Sequence, residues 1–253
     1  MNIVLIGYGK MGREIESIAQ QRGHSIIGKF SSNLPLPQVS SDFYQSQKIH
    51  CCIDFSHASG VSKHAEICSL LGIPLVEGTT GWQHQQKDIF DLVRRNNGSI
   101  IYGNNFSVGA QMFFNIVRRA AEMMNTFSEY DVAIHETHHI QKKDAPSGTA
   151  LTLSQILLSS MNRKTTVKDQ FDTSVIQSNQ IGISSTRIGN VSGTHSVLFH
   201  SPADEIELVH RAHNRTGFAL GAVLAAELTQ NFPGIFSFEE LIFEKSIHRE
   251  LSS

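Results

Sequence analysis

Short apolar runs alternate, along the N-terminal part of the chain, with segments whose apolar residues recur every three or four positions. The apolar runs cover residues 2–7, 24–30, 49–55, 74–77 and 99–102, and the segments with helical spacing cover residues 13–22, 59–71 and 82–95. Strands that are apolar throughout and separated by helices are typical of a parallel sheet covered on both faces. The pattern therefore predicts an α/β fold for this part.

The pattern changes near residue 107 and changes back near residue 216. A long helix is predicted over 108–124, a strand over 130–135, a loop over 144–149 that opens a helix from about 150 to 161, and further strands over 184–191, 195–200 and 205–212. In the last strand Ile206 and Leu208 alternate with Glu205 and Glu207, which suits a half-buried antiparallel strand. Helices are predicted again over 217–228 and 238–243.

Two domains follow from this change of pattern. Residues 1–107 and 216–253 are predicted to form one α/β domain, and residues 108–215 an α+β domain with a mixed or antiparallel sheet. A chain of 253 residues is long enough for each domain to bury a core.

Composition narrows the classes of function. The chain has 21 basic and 23 acidic residues, a net charge of −2, which excludes the strongly basic surface of a nucleic-acid-binding protein. The longest apolar stretch, residues 218–226, is far shorter than the roughly 20 residues of a membrane span, and the N-terminus predicts a strand rather than a secretory signal. Three cysteines are too few and odd in number for a disulfide framework, so we expect a cytoplasmic protein.

A glycine-rich turn follows the first predicted strand and precedes the first helix. Residues Gly7, Gly9 and Gly12, with Lys10 and Met11 between the last two, fit the pattern G-x-G-x-x-G. Glycines let backbone N–H groups approach a pyrophosphate, and the start of a helix favours negative charge. The position predicts a Rossmann-like, dinucleotide-binding domain, and the alternative is a turn that is merely rich in glycine.

The choice of dinucleotide depends on the end of the second strand, where an acid would bind the ribose hydroxyls of NADH. That acid is absent, and the segment 28–33 instead offers Lys29, Ser31, Ser32 and Asn33. A cation and hydroxyls suit a 2′-phosphate, so we predict NADPH, with NADH as the alternative. Lys29 could equally be a solvated surface charge.

Two further loops lie after predicted strands, at the edge where a Rossmann-like sheet binds its cofactor. They are expected to contact the nicotinamide or its ribose, and the alternative for each is an ordinary turn. These candidate residues are Gly78, Thr79, Thr80, Asn104, Asn105, Phe106 and Ser107.

A cluster of histidines and lysines follows the strand predicted over 130–135. His138 and His139 are adjacent, Lys142 comes shortly after, and Gly148 and Thr149 open a helix. A histidine can exchange a proton near neutral pH, a lysine attracts anions, and a helix start binds carboxylates. The combination predicts a pocket for a small anion that also takes part in proton transfer.

A metal site is the alternative, and we expect none. Adjacent residues of a strand point to opposite faces, and no cysteine or carboxylate cluster is apparent in the sequence to complete a ligand set.

The stretch from Glu136 to Ala150 resembles the signature of the 4-hydroxy-tetrahydrodipicolinate reductase (dihydrodipicolinate reductase) family. The matching pattern is Glu136-x-His138-His139-x-x-Lys142-x-Asp144-Ala145-Pro146-Ser147-Gly148-Thr149-Ala150. Further similar motifs occur in order at 9–12, 78–80, 105–109, 192–197 and 215–222. The chain departs from the family in a tighter glycine turn, in the missing acid after the second strand, and in Thr194, where the family has a glutamate.

The resemblance implies a reaction and a set of roles. The family reduces a cyclic imine with two carboxylates, which loses its 4-hydroxyl as water and takes hydride at C4 from NADPH or NADH, in diaminopimelate and lysine biosynthesis. By the resemblance, His138 is the acid–base residue, Lys142 a proton donor or substrate anchor, His139 a substrate contact, and Gly148 and Thr149 a carboxylate site. It also implies that the first domain binds the dinucleotide and that the middle domain binds substrate and forms a homotetramer through its sheet.

Two other functions stay open. A semialdehyde dehydrogenase that forms a thioester needs a nucleophilic cysteine, but Cys51 and Cys52 lie in a predicted strand and Cys68 in a predicted helix. A non-catalytic dinucleotide sensor would be expected to lose the histidine–lysine set, which is intact here.

Overall fold

The computed structural model describes residues 1–169 and 175–245, which divide into two compact units. The first unit is Met1–Val108 with Arg215–Ser253, and the second is Gly109–Asn214. These boundaries lie next to those predicted from the pattern change, while residues 246–253 of the predicted first domain lie outside the described residues. None of the helices in the described ranges combines the length and apolar character that crossing a membrane requires.

The first unit contains a sheet of six parallel strands in the order β11-β5-β4-β3-β1-β2. Its strands are β1 (Asn2–Ile6), β2 (Ser25–Phe30), β3 (Cys51–Asp54), β4 (Leu75–Glu77), β5 (Ile100–Tyr102) and β11 (Ile235–Ser237). Its helices are α1 (Lys10–Gln21), α2 (Asp42–Gln45), α3 (Ala58–Leu70), α4 (Gln86–Arg95), α7 (Thr216–Leu228) and α8 (Phe238–Glu240), with a 3₁₀ turn at Gln83–Gln85 and a π turn at Leu241–Lys245.

Successive residues of the central strands pack against different helices because side chains of a strand alternate between faces. Ile3 and Leu5 belong to a core with residues of α1 and α7, whereas Val4 and Ile6 belong to a core with residues of α3 and α4. The sheet is therefore buried on both faces, which explains why its strands read as apolar runs.

The second unit contains a mixed five-stranded sheet in the order β10-β9-β6-β8-β7. Its elements are α5 (Val108–Met124), β6 (Asp131–His138), α6 (Gly148–Ser160), β7 (Thr166–Lys168), β8 (Gln180–Arg187), β9 (Thr194–His200) and β10 (Glu205–Arg211). The central strand β6 pairs antiparallel with β9 and parallel with β8. Apolar residues of α5, α6 and the sheet form one core, so the predicted class, a Rossmann-like unit plus a mixed-sheet unit, is confirmed.

Several predicted boundaries were wrong. The strand predicted over 184–191 is β8 (Gln180–Arg187), because Ile181 and Ile183 are its buried apolar residues. The strand predicted to end at 135 continues to His138, and the helix expected from about 150 begins at Gly148. The short elements α2, β7 and β11 were not predicted.

The predicted half-burial of β10 is wrong for Ile206, which is 39% exposed. The antiparallel pairing of β10 with β9 is confirmed. Among the described strands β10 lies at the edge of its sheet, and the core of the unit reaches Leu208 but not Ile206.

Candidate active site

The glycine turn joins β1 to α1 in a conformation that requires glycine at its first position. Gly7 has φ +88°, and a Cβ there would lie 2.3 Å from the carbonyl oxygen of Phe55. Helix α1 then begins at Lys10 with Gly9 as its N-cap, and no side chain of the described residues caps it. The first N–H groups of α1 are thus left for a ligand, as the binding of a pyrophosphate requires.

A pocket of about 590 Å³ opens beside this turn. Its lining includes Gly7, Tyr8, Gly9, Ser31, Ser32 and Asn33, and no acidic side chain of the described residues lines it. The pocket lies where the sequence predicts a dinucleotide, and it presents hydroxyls and an amide after β2.

Lys29 does not itself line that pocket, although it lies beside Tyr8, which does. Its ammonium lies 2.6 Å from a carboxylate oxygen of Glu16 and 4.9 Å from the centre of the Tyr8 ring. The prediction that Lys29 supplies a free charge for a 2′-phosphate therefore meets a competitor, since Glu16 already neutralises this lysine.

The two predicted nicotinamide loops contain both buried and exposed residues. Thr80 and Asn104 are exposed, and Asn104 accepts a hydrogen bond of 2.7 Å from Gln83. Thr79 is 5% exposed, and the Phe106 ring is fully buried against Phe238. A cofactor could meet Thr79 or Phe106 only through small exposed parts or the backbone, because their side chains belong to the core.

A cluster of buried polar side chains lies at the strand ends before these loops, and it was not predicted. Asp54 and Glu77, both fully buried, end the neighbouring strands β3 and β4 in register. Asp54 contacts Nδ1 of His64 at 2.6 Å, and Glu77 accepts from the Thr79 N–H at 2.7 Å. Burial, followed by the nearby Asp54, raises the pKa of the Glu77 carboxyl well above its usual range.

The histidine predicted as acid–base residue lies at the end of β6. Along this strand Val132, Ile134, Glu136 and His138 are buried, while the residues between them are more exposed. Strand alternation thus places Glu136 and His138 on the same face as the apolar core residues. Nδ1 of His138 lies 3.3 Å from Oε2 of Glu136, and His138 is 7% exposed.

Glu136 is a fully buried carboxylate surrounded by donors. Its Oε1 atom accepts hydrogen bonds from the Ser147 N–H at 3.1 Å, the Ser185 hydroxyl at 2.8 Å and the Arg187 guanidinium at 3.0 Å. Burial raises the pKa of this carboxyl, but contacts with His195 and these donors outweigh it and hold the pKa well below its usual range. Glu136 is therefore charged at neutral pH.

His138 is affected in the opposite way. Burial lowers the pKa of its imidazole, Glu136 raises it, and His195, Lys142 and Arg187 lower it further, to about 4. The free imidazole is accordingly neutral at pH 7, and the arrival of an anion beside it would favour the protonated form.

The other predicted substrate residues lie on the loop between β6 and α6. The Lys142 ammonium contacts both carboxylate oxygens of Asp144, at 2.9 and 2.8 Å. Gly148 and Thr149 form the first turn of α6, whose N-cap is Ser147, with a side chain that accepts from the Ala150 N–H. Gly148 is exposed, and Thr149 and His139 are half-buried, so this turn offers N–H groups to an anion.

Three side chains lie close enough together to be considered as metal ligands. One ligand atom each of Glu136, His138 and His195 lies within 4.8 Å of the others. This corrects the sequence argument that no carboxylate completes a ligand set. The donors on Glu136 include a guanidinium, and Nε2 of His195 lies 3.1 Å from the Ser147 hydroxyl. The guanidinium already balances the charge of Glu136 and the hydroxyl already engages His195, which favours a hydrogen-bonded network.

Comparison with known proteins identifies the family. The family models "Dihydrodipicolinate reductase, N-terminus" and "Dihydrodipicolinate reductase, C-terminus" match residues 1–106 and 109–242. The chain belongs to the dihydrodipicolinate reductase family. A 4-hydroxy-tetrahydrodipicolinate reductase of Christiangramia forsetii is 39% identical over 243 residues, which are 96% of this chain and 98% of that one.

More distant relatives agree with this assignment. A 4-hydroxy-tetrahydrodipicolinate reductase of Methanosarcina acetivorans is 38% identical over 75% of this chain and 72% of its own length. The solved structure of a dipicolinate-bound dihydrodipicolinate reductase from Paenisporosarcina sp. TG-14 matches 95% of this chain and 99% of that chain, with a TM-score of 0.76 and 22% identity. At that identity the structural likeness supports the fold.

Part of this network was not predicted from the sequence. Arg187 was not singled out, His195 appeared only within a motif, and Glu136 received no role. The register explains why, since His195 pairs with Glu136 from β9 and Arg187 pairs with His138 from β8. The one sequence signal was a buried-strand pattern that carries a glutamate, Glu136, in phase with Val132 and Ile134.

Proposed function

We propose that this chain reduces 4-hydroxy-tetrahydrodipicolinate to tetrahydrodipicolinate with NAD(P)H, in diaminopimelate and lysine biosynthesis. The observation that carries the proposal is the relationship along nearly the whole chain, 39% identity over 96% of its residues, to a reductase of that name. The hydrogen-bonded network around Glu136 and His138 adds chemical support, because it provides a proton-transfer group beside donors for an anion.

The dinucleotide is proposed to bind at the glycine turn, with its pyrophosphate on the first N–H groups of α1 between Gly7 and Gly12. Ser31 and the loops 78–80 and 104–107 would contact its remaining parts. When bound, the reduced nicotinamide supplies the hydride that C4 of the substrate accepts. The chain's own part is to orient both molecules and to supply the proton.

The two carboxylates of the substrate need positive charge and N–H donors. Lys142 supplies the charge, and Gly148 and Thr149 supply the N–H groups at the start of α6. Because Lys142 is paired with Asp144, a substrate carboxylate would share or replace that contact. The dipicolinate bound to a solved relative is itself a dicarboxylate, which supports this substrate class.

The proton is proposed to come from His138. Its imidazole is buried beside the Glu136 carboxylate, which favours the protonated form, whereas the Lys142 ammonium is engaged by two oxygens of Asp144. Lys142 then acts mainly as the anchor. The 4-hydroxyl leaves as water together with a hydrogen of a neighbouring carbon, which forms a conjugated double bond. Hydride is then added at C4, and His138 delivers one proton to the carbon next to it, which balances the reaction.

We propose NADPH as the preferred cofactor. Ser31, Ser32 and Asn33 line the pocket after β2, and no carboxylate of the described residues is present there to bind a ribose diol. The pairing of Lys29 with Glu16 weakens the expected preference, so NADH is the competing cofactor.

The proposed assembly is a cytoplasmic homotetramer. The exposed edge strand β10 supports association through the sheet, and the three unpaired cysteines support a cytoplasmic location.

Steady-state oxidation of NADPH and NADH, measured side by side with freshly generated cyclic imine, tests the proposal. Turnover with both and a higher kcat/KM for NADPH is expected. Turnover with a higher kcat/KM for NADH would contradict only the cofactor preference. Tight dinucleotide binding without turnover would contradict the function and favour a sensor.

A further inference from the structure

We propose that Glu136 is a positioning residue, whose buried carboxylate fixes the His138 ring with Nδ1–H turned inward and Nε2 left for the substrate. The inference rests on the proposed function, in which His138 transfers the proton. It assigns a role to a residue that touches neither substrate nor cofactor and that acts through the histidine.

The two carboxylate oxygens of Glu136 differ in their surroundings. Three donors, from Ser147, Ser185 and Arg187, occupy Oε1. Oε2 is buried, and within the described residues no hydrogen bond of good geometry reaches it. A buried charged oxygen is costly without a donor, so Oε2 favours whichever neighbouring ring presents an N–H.

One ring nitrogen of His138 lies close to Oε2 of Glu136. Nδ1 of His138 is 3.3 Å from Oε2, is itself buried, and makes no other hydrogen bond within the described residues. Nε2 of His195 lies farther from Oε2, at 3.7 Å, and is engaged by the Ser147 hydroxyl. The Nδ1–H tautomer places a donor beside Oε2, whereas the Nε2–H tautomer would place a lone pair against the carboxylate. The contact therefore selects the tautomer, as buried carboxylates do for histidines in other proton-transfer sites.

The opposite edge of the His138 ring carries Nε2. A Cβ built on Gly193 would lie 3.1 Å from Nε2 of His138, so the absence of a side chain at this position leaves that edge uncrowded. His195 meets His138 edge-on, with ring centres 5.0 Å apart and planes at 72°. Rotation of the His138 ring is thus restricted, and Nε2 is the nitrogen that a ligand can approach.

The same carboxylate also fixes the start of α6. Oε1 accepts from the N–H of Ser147, and Ser147 in turn caps α6 and contacts His195. Glu136 thereby ties the proton-transfer group to the turn at Gly148 and Thr149, where a substrate carboxylate is proposed to bind. A loss of Glu136 should disturb the geometry between these two parts of the site more than the stability of either.

The test compares Glu136→Gln with a matched control, Glu122→Gln, which makes the same change in an exposed carboxylate paired with Arg119. We expect Glu136→Gln to lower kcat by at least about tenfold while the KM for NADPH stays the same. The control should leave both unchanged.

The pH profile separates positioning from a structural role. Four charged or titratable groups face His138: Glu136 raises its pKa, and Lys142, Arg187 and His195 lower it. Removing the Glu136 charge therefore lowers the pKa of His138, and the limb of kcat/KM that reports its protonation should move to lower pH by roughly one unit or more. A drop in kcat with the limb unmoved would overturn the proposal.

Nitrogen-15 NMR of the imidazoles gives a readout that does not need turnover. In the wild-type protein above the pKa of His138, the Nδ1–H tautomer is expected, and in Glu136→Gln a mixture of tautomers. A wild-type His138 with its proton on Nε2 would overturn the inference, even if Glu136→Gln failed to fold. Absence of turnover by the wild type would reject the proposed function while leaving the tautomer result to decide this inference.

Discussion

Two fully buried glutamates, one in each unit, lie near the ends of parallel-paired strands and differ in their surroundings. Glu136 of the second unit faces Arg187 and two further donors on one oxygen, and it is charged. Glu77 of the first unit faces Asp54, and its pKa is raised by burial and by that neighbour. The comparison shows that burial alone does not set the state of a carboxyl, because the donors and charges around it decide.

The difference matches what each site is proposed to do. The charged Glu136 carboxylate can orient the His138 ring and favour its protonation when substrate arrives. The raised pKa favours a neutral Glu77, which accepts from the Thr79 N–H beside a loop that is proposed to contact the nicotinamide or its ribose.

The largest effect is expected from His138→Gln, which removes the proton-transfer group at the charged site. Turnover should fall roughly 10²–10⁴-fold, the usual scale for an acid–base residue. His135→Gln is the matched control, because His135 is exposed on the same strand and its kcat should be close to wild type. Near-normal turnover in His138→Gln, measured by NADPH oxidation, would remove His138 from its role.

Arg187→Met tests whether Glu136 depends on its counter-ion. Leaving a buried carboxylate without its guanidinium should cost about 3 kcal/mol in the free energy of unfolding, measured with urea. Arg119→Met breaks an exposed pair with Glu122 and should cost less than about 1 kcal/mol. Equal losses of unfolding free energy in the two variants would show that the buried pair stabilises the fold no more than the exposed pair does.

Glu77→Gln is expected to have the smallest effect, since burial and the nearby Asp54 favour the protonated carboxyl, which an amide resembles in charge. At neutral pH the free energy of unfolding should change by about 1 kcal/mol or less. A raised folded-state pKa gives stability that is complete below the unfolded pKa and declines as pH rises above it, so the wild type should lose stability with rising pH and the variant should lose less. A loss as large as that of Arg187→Met would mean that Glu77 is charged and paired.

Much of the fold could be predicted from local patterns, because burial on both faces leaves apolar strands and amphipathic helices leave a regular period. Helix α5 (Val108–Met124) has the bounds that its pattern predicted. The bounds of β8 were predicted too late in the chain. Its apolar residues, Ile181 and Ile183, precede a polar stretch that the sequence pattern did not separate from the strand.

The candidate site could be predicted only where its residues are close in sequence. His138, His139 and Lys142 stood out as one cluster, while Arg187 and His195 come from strands that pair with β6 and are far from it along the chain. Lys29 illustrates the converse, since a lysine at a favourable sequence position proved to be paired with Glu16. Such pairings depend on the packing of side chains, which a sequence pattern does not encode.

The central claim is tested most directly by following the hydride itself. The cofactor for this test is a reduced nicotinamide with deuterium in place of both hydrogens on its C4. The substrate is the freshly generated cyclic imine, and the product is analysed by mass spectrometry and NMR. The account predicts one deuterium at C4 of the product with the wild-type protein. A product without deuterium, or with deuterium at another carbon, would contradict it.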